Sequence, residues 1–173
     1  ETRGNALVEF IEHYKSFTRL PEPVIEKVNI SGFFENISRF FKEELKQHNI
    51  TLKINLAEQP LYINADSNLL DQAFINLFRN SIYALSDDPG GLIYLKAKRH
   101  SKDEIILEIT DSGLGIPPEI QSQIFIPFFT TRPKGTGIGL SIVKKIVHMH
   151  GGTIHFRTEP GMGTTFIVKL RAS

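Results

Sequence analysis

The chain contains no cysteine. Disulfides and thiolate metal sites are therefore excluded, and the composition fits a reducing cytoplasm. An excess of charge is missing as well: 20 Lys and Arg stand against 19 Asp and Glu, a formal net charge of +1. That balance offers no electrostatic case for binding nucleic acid or a membrane surface. No apolar run approaches the ~20 residues needed to cross a bilayer, and none has the pattern of a secretory signal. Internal repeats and low-complexity tracts are also lacking. What remains is a chain of 173 residues with 40% hydrophobic content, enough for one cored domain plus a short appendage. It starts at Glu1 without Met and enters a helical pattern at once, which reads as a piece of something longer.

Leu7, Phe10, Ile11, Tyr14 and Phe17 make one apolar stripe on a helix. Pro21 and Pro23 cannot continue it, so residues 20–23 read as a linker. The stripe packs either on the same domain or, as the tail of a longer helix, on another chain. The proline break favours the second. Beyond the linker the pattern predicts a short strand over 28–30 and a helix capped by Ser31, with Phe34, Ile37, Phe41 and Leu45 inward. Strands follow over 51–56 and 61–63. Asp66 or Ser67 caps a helix running to about Leu85, with Leu70, Phe74, Leu77 and Ile82 inward. Asp87-Asp88-Pro89-Gly90-Gly91 is a turn. A hairpin is expected over 92–99 and 104–111, and Pro117 and Pro118 open a short helix. A helix over 137–150 stops at Gly151-Gly152, and a last hairpin covers 153–158 and 164–170. Helices and hairpins interleave without a repeating strand–helix unit. The expected class is α+β: a two-layer sandwich with a mixed, mostly antiparallel sheet and helices on one face.

Four separated signals carry the chemistry. Asn76 and Asn80 are four apart on the second helix, so both amides share a side. An amide oxygen is a hard ligand suited to magnesium, which takes one or two protein oxygens and leaves the rest to phosphate and water. Arg79 beside them can reach a phosphate. Isolated helical asparagines are usually just solvated, but amides near the Phe74 and Leu77 face need partners. Asp111 ends an apolar strand and is followed by Gly113 and Gly115. A carboxylate there can accept from an exocyclic amine and so read adenine, with glycines admitting a flat ring. The plainer alternative is an Asx turn closing the strand.

The third signal, Gly135-Thr136-Gly137-Ile138-Gly139-Leu140, leads into a helix. Free amides at a helix N-terminus make an anion site. A P-loop needs Lys after the glycines, and a dinucleotide fingerprint needs a third glycine at Leu140 and a strand just before. Both patterns fail, so the loop belongs to another phosphate geometry or to a plain linker. Upstream, Phe125, Phe128 and Phe129 are followed by Thr130, Thr131, Arg132 and Lys134. That composition suits a lid anchored by aromatics with a cationic tip, although the phenylalanines also suit a core. The fourth signal is Gly161-Met162-Gly163-Thr164, whose threonine hydroxyl can support the Asp111 carboxylate. The six histidines show no metal spacing. His148 and His150 sit near a helix end, where they suit its last carbonyls, and His13 is a weak phosphoacceptor candidate. Together the four signals supply what holds a magnesium nucleotide.

In this order the motifs resemble the catalytic ATP-binding domain of bacterial sensor histidine kinases, of the nitrogen-regulation type. The wider class holds type II topoisomerases, mismatch-repair ATPases, heat-shock chaperones and anti-sigma kinases. The resemblance runs from about Ile30 to Arg171 and implies the Bergerat ATP-binding fold over 24–173, with 1–23 the tail of a dimerisation helix and a linker. It places 76–80 in the N box, 111–115 in the first glycine box, 125–129 in the phenylalanine box, 135–140 in the second glycine box and 161–164 in the last. By resemblance Asn80 holds Mg²⁺ and Asp111 bonds the adenine amine. The same comparison puts Asn76, Tyr83, Gly113, Gly115, Ile116, Phe125, Thr130, Thr131, Gly135, Thr136, Gly137, Ile138, Gly139, Leu140 and Thr164 around ATP. Asn76, Arg79, Arg132 and Lys134 are the catalytic candidates.

Two departures stand out. Many members carry Lys and Tyr three and four residues after the second asparagine, where this chain has Tyr83 and Ala84. Phosphate contact then falls to Arg79, Arg132 or Lys134. No phosphoacceptor motif of His followed by an acid and a nearby Pro occurs. Hydrolysing relatives place Glu where Asn76 stands, and an amide takes no proton at neutral pH. The resemblance thus implies slow hydrolysis and transfer to a histidine on a dimerisation domain outside this chain, which alone does not autophosphorylate. It also implies a homodimer in the full-length protein, a response-regulator receiver as partner, and a bacterial cytoplasmic domain whose parent is either free or anchored in the inner membrane. The rival readings are a nucleotide-sensing module without kinase activity and an ATP-hydrolysing ATPase domain.

Overall fold

The computed structural model describes residues 20–86, 90–133 and 135–173. The helix expected over 4–17, His13 and Lys134 lie outside the described residues. Strand β1 (Glu26–Asn29) runs directly into helix α1 (Ile30–Gln47). Then come β2 (Thr51–Leu56), β3 (Tyr62–Ala65) and α2 (Ser67–Ala84). The hairpin of β4 (Leu92–Arg99) and β5 (Glu104–Asp111) follows, then a 3-10 turn at Pro118–Ile120, α3 (Gly139–Met149), and the hairpin of β6 (Thr153–Glu159) and β7 (Gly163–Arg171).

The main sheet has the order β2-β4-β5-β7-β6. Only β2 and β4 run parallel. A parallel pair needs a long crossover, and the segment through α2 provides it. Alternation along the strands divides the faces. Ile93, Leu95 and Ala97 of β4, Ile105, Leu107 and Ile109 of β5, and Phe166, Val168 and Leu170 of β7 are buried on one side with the helices. Lys96, Lys98, His155 and Arg157 stay exposed on the other. The layer of α1, α2 and α3 therefore covers a single face, as the α+β reading expected. Aromatic packing joins the helices: Phe41 stacks on Phe78 at 4.6 Å, and Phe33 meets Phe74 edge-on at 5.0 Å.

A second, two-stranded sheet pairs β1 with β3 and was not expected. It is tied to the end of β7 by an Ile63–Ala172 bridge and by Asn64 Nδ2 donating to the Ala172 carbonyl at 3.1 Å. The α1 cap also differs from expectation. Asn29, with extended backbone, accepts from the Gly32 amide at 3.2 Å, whereas Ser31 lies inside the helix and donates to Glu35 at 3.3 Å. The helix starts early because β1 leads straight into it and the Ile30 amide donates to Leu61.

Asp66 caps α2 as anticipated, its Oδ1 accepting from the Leu69 amide at 3.0 Å. Its Oδ2 accepts from the Val24 amide at 2.8 Å, which fastens the 20–25 segment to the domain. The Asp66 amide itself donates to Nε2 of buried His150 at 2.9 Å. His150 Nδ1 in turn lies 2.7 Å from the Ile146 carbonyl, at the end of α3. A ring that accepts at Nε2 and donates at Nδ1 is a neutral imidazole of one tautomer. The start of α2 and the end of α3 are thus bonded to each other.

Candidate active site

Asp111 is the last residue of β5, at the middle of the sheet, and is only 3% exposed. Its Oδ1 accepts from the amides of Gly113 at 3.0 Å and Thr164 at 3.3 Å. Its Oδ2 accepts from the Ser81 hydroxyl at 3.2 Å. Burial pushes this carboxyl above the ordinary carboxylate range, and the three donors pull against that. An ionised carboxylate offers about four acceptor positions. The remaining one is on Oδ2, available to a ligand donor.

The surrounding glycines serve the backbone more than a ring. A Cβ on Gly113 would stand 2.6 Å from the Ala84 carbonyl, and one on Gly115 would meet the Glu159 carbonyl, with Gly115 at φ +74°. The first glycine box is therefore wedged between the end of α2 and the last hairpin. Ile116 donates its amide to the Thr158 hydroxyl at 2.9 Å and packs on the core. Thr164 does meet Asp111, but through its amide. Its hydroxyl lies 3.0 Å from that of Thr158. Ser81 and Thr158 were not singled out in the sequence. Ser81 sits one residue past Asn80 and is fully buried in the helix, so only the fold shows what its hydroxyl faces.

The asparagines lie half-buried along α2. Asn76 donates Nδ2 to the Gln72 carbonyl at 2.9 Å. Its Oδ1 faces the start of α3, where a Cβ on Gly139 would be 3.2 Å away. Asn80 Oδ1 accepts from the Arg132 guanidinium at 2.7 Å. Arg132 also lies over the Tyr83 ring, 3.9 Å from its centroid. Burial lowers the Arg132 pKa from its ordinary value, with Tyr83 opposing. The geometry thus joins Asn80, Tyr83 and Arg132. Arg79 is exposed on the same helix and takes no part in those contacts.

The segment from Ile124 to Ile138 bridges the two halves of the site. Its base packs on the domain through Ile124, which is buried, and Phe125, which lies 6.0 Å from Phe156 with Lys144 Nζ 5.6 Å from its own ring centroid, whereas Phe128, expected to anchor it too, is exposed. Phe125 is thus turned to the core side. At the tip, the Thr130 hydroxyl accepts from the Arg132 amide at 3.0 Å, and the Gly135 amide donates to the Arg132 carbonyl at 3.0 Å. Thr131 and Thr136 are exposed. Gly137, at φ +69°, passes against the Phe128 backbone, itself at φ +66°. A left-handed residue cannot sit inside a helix, so α3 begins at Gly139, two residues later than expected. Ile138 is buried and Leu140 half-buried, so their side chains serve packing. Ile138 provides no side-chain cap, which leaves the first amides of α3 without such a partner. Among the described residues no cluster of three His, Asp or Glu side chains can hold a metal. The amide oxygens of Asn76 and Asn80 are hard donors of the kind a magnesium ion accepts.

The chain is similar to known proteins over most of its length. Residues 65–173 match the family described as histidine kinase-, DNA gyrase B-, and HSP90-like ATPase. Sensor histidine kinase ZraS of Salmonella typhimurium is 34% identical over 146 residues, covering 84% of this chain and 31% of that protein. Sporulation kinase A of Bacillus subtilis is 32% identical, covering 85% of this chain and 24% of its own length. The nitrogen regulation protein NtrY of Azorhizobium caulinodans is 31% identical over 94% of this chain and 21% of its own. The chain therefore spans less than a third of each of these relatives. Among solved structures, the catalytic domain of histidine kinase ThkA superposes with a TM-score of 0.77 at 30% identity, over 85% of this chain and 95% of that one. The fold, the buried Asp111 and the glycine-wedged loops have the same explanation: this chain belongs to the histidine kinase-, DNA gyrase B- and HSP90-like ATPase family and is homologous to the catalytic domains of sensor histidine kinases.

Proposed function

We propose that the chain binds Mg-ATP beside α2 and donates the γ-phosphoryl group to a histidine on a dimerisation domain outside it. The observation that carries this reading is the buried Asp111 carboxylate, held by three protein donors with one acceptor position left on Oδ2. That position accepts from the adenine amine. The uncapped start of α3 and the Gly135–Leu140 backbone lie along the phosphates. Asn80 contributes its amide oxygen to Mg²⁺, which when bound neutralises charge on the β- and γ-oxygens. Arg132, with Lys134 as a further candidate, meets the γ-phosphate. Asn76 has no basic atom to activate water, so the site aligns ATP without hydrolysing it quickly. Residues 24–173 form the ATP-binding domain in this reading, and 1–23 lead to the dimerisation helix of a homodimeric parent. A response-regulator receiver is the downstream partner; a histidine kinase ThkA structure in complex with response regulator protein TrrA shares this fold at a TM-score of 0.81 and 25% identity. The described helices are not long and apolar enough to cross a membrane, which suits a cytoplasmic domain of a bacterial parent.

The test mixes this chain with labelled Mg-ATP and a separately made dimerisation domain. Label on that domain's histidine is the expected result. ATP binding without transfer would leave a nucleotide-sensing module, and rapid steady hydrolysis by the chain alone would point to an ATPase; either overturns the proposal.

A further inference from the structure

We propose that Arg132 is a latch on the metal position: without nucleotide its guanidinium occupies Oδ1 of Asn80, and a divalent cation binds only by displacing it. The contact is 2.7 Å and partly buried, so it is a close charge-assisted bond. The same guanidinium is stacked 3.9 Å from the Tyr83 centroid. Tyr83 follows Asn80 by three residues on α2, which sets ring and amide side by side. One side chain thus meets a hydrogen-bond acceptor and an aromatic face at once. The loop is shaped for it, because the Thr130 hydroxyl and the Gly135 amide bond the main chain of Arg132 on either side.

Exclusivity follows from charge. A guanidinium and a divalent cation on one amide oxygen would stand a few ångström apart, where like charges in a half-buried setting repel strongly. Metal loading therefore ejects Arg132 from Asn80. The ejected cation sits on the loop that reaches the nucleotide phosphates, so filling the metal position frees the residue for that role. Tyr83 tunes how firmly the latch holds. This inference rests on the reading of Asn80 as the Mg²⁺ ligand.

The test is calorimetric binding of ADP across a Mg²⁺ titration. ADP lacks the γ-phosphate, so loss of a γ-phosphate contact does not enter. The competent fraction of the site sets the apparent affinity, and removing a competing contact raises that fraction. Arg132→Ala and Tyr83→Leu are expected to lower the Mg²⁺ concentration for half-maximal ADP binding by about three- to tenfold. An unchanged or raised Mg²⁺ requirement in Arg132→Ala overturns the latch. Asn80→Ala separates the two readings. If it raises the Mg²⁺ requirement while Arg132→Ala has no effect, the metal assignment stands and the latch falls. If Asn80→Ala leaves the requirement unchanged, both fall.

Discussion

The hydroxyl of Ser81 donates to Oδ2 of Asp111 at 3.2 Å, joining α2 to the end of β5 inside the core. It holds the same oxygen that carries the free acceptor position. Ser81 is therefore a positioning residue for Asp111. Ser81→Ala removes one of the three donors that favour the ionised carboxylate, so the Asp111 pKa rises further. The acid limb of the pH profile for ATP binding should move to higher pH. An acid limb in the same place as the parent's would show that the hydroxyl has no hold on the carboxylate.

Asp111→Asn separates binding from stability. The amide oxygen can still accept from Gly113 and Thr164, and its NH2 can donate to the Ser81 oxygen. Facing the adenine amine, however, it presents a donor to a donor. ATP affinity should fall by about 100-fold, the scale of a lost hydrogen bond to a charged group. Stability should move the other way. A carboxyl whose folded pKa is raised stabilises fully below its unfolded value, and that contribution is lost as pH rises through the folded one. At pH 7 the ionised Asp111 therefore costs stability, and the variant should melt higher. The gap should close as pH falls below the ordinary carboxylate range, and thermal melts across pH measure it.

Asp66 has the opposite sign. Amide donors, Leu69 first and then Val24, hold its pKa below the ordinary value. Its stabilisation is present above the unfolded value and lost as pH falls through the folded one. Asp66→Ala should cost about 1–2 kcal/mol at neutral pH, as a lost cap does. Chemical denaturation at successively lower pH should show the difference from the parent shrinking.

Two glycines should respond oppositely to alanine. Gly115 lies at φ +74° against the Glu159 carbonyl, so Gly115→Ala should destabilise by roughly 2 kcal/mol or more. Gly32 lies within α1, and a Cβ added there would have nothing within 4 Å. Gly32→Ala should be neutral or stabilise by up to about 1 kcal/mol. Urea midpoints of the two variants provide the comparison.

Long periodic segments were legible in the sequence. The inward stripe of α1, the span of α2 and both strands of the β4–β5 hairpin stand where the apolar spacing put them, because burial enforces period on each. Boundaries set by contact across the chain were not. The β1–β3 sheet needs two four-residue strands separated by a helix and another strand, and neither is long enough to show alternation. Asn29 rather than Ser31 caps α1 because the start of that helix is decided by β1 and Leu61. The site shows the same division. Asp111 was identifiable as a polar end to an apolar strand, whereas the Thr164 amide, in place of its hydroxyl, depends on the β5–β7 register.

By itself the sequence determined the class of protein and its chemical parts: an α+β chain with amides on one helix, a carboxylate at a strand end and glycines at its loops. Those features are local, since they depend on residue type and on spacing along one element. Tertiary structure decided which atoms meet. Ser81 on Asp111, Arg132 on Asn80 and Tyr83, and His150 on Asp66 join residues 30, 52 and 84 positions apart for the hydrogen-bonded pairs. Such pairings carry no periodic trace, because they are set by how the helices settle on the sheet.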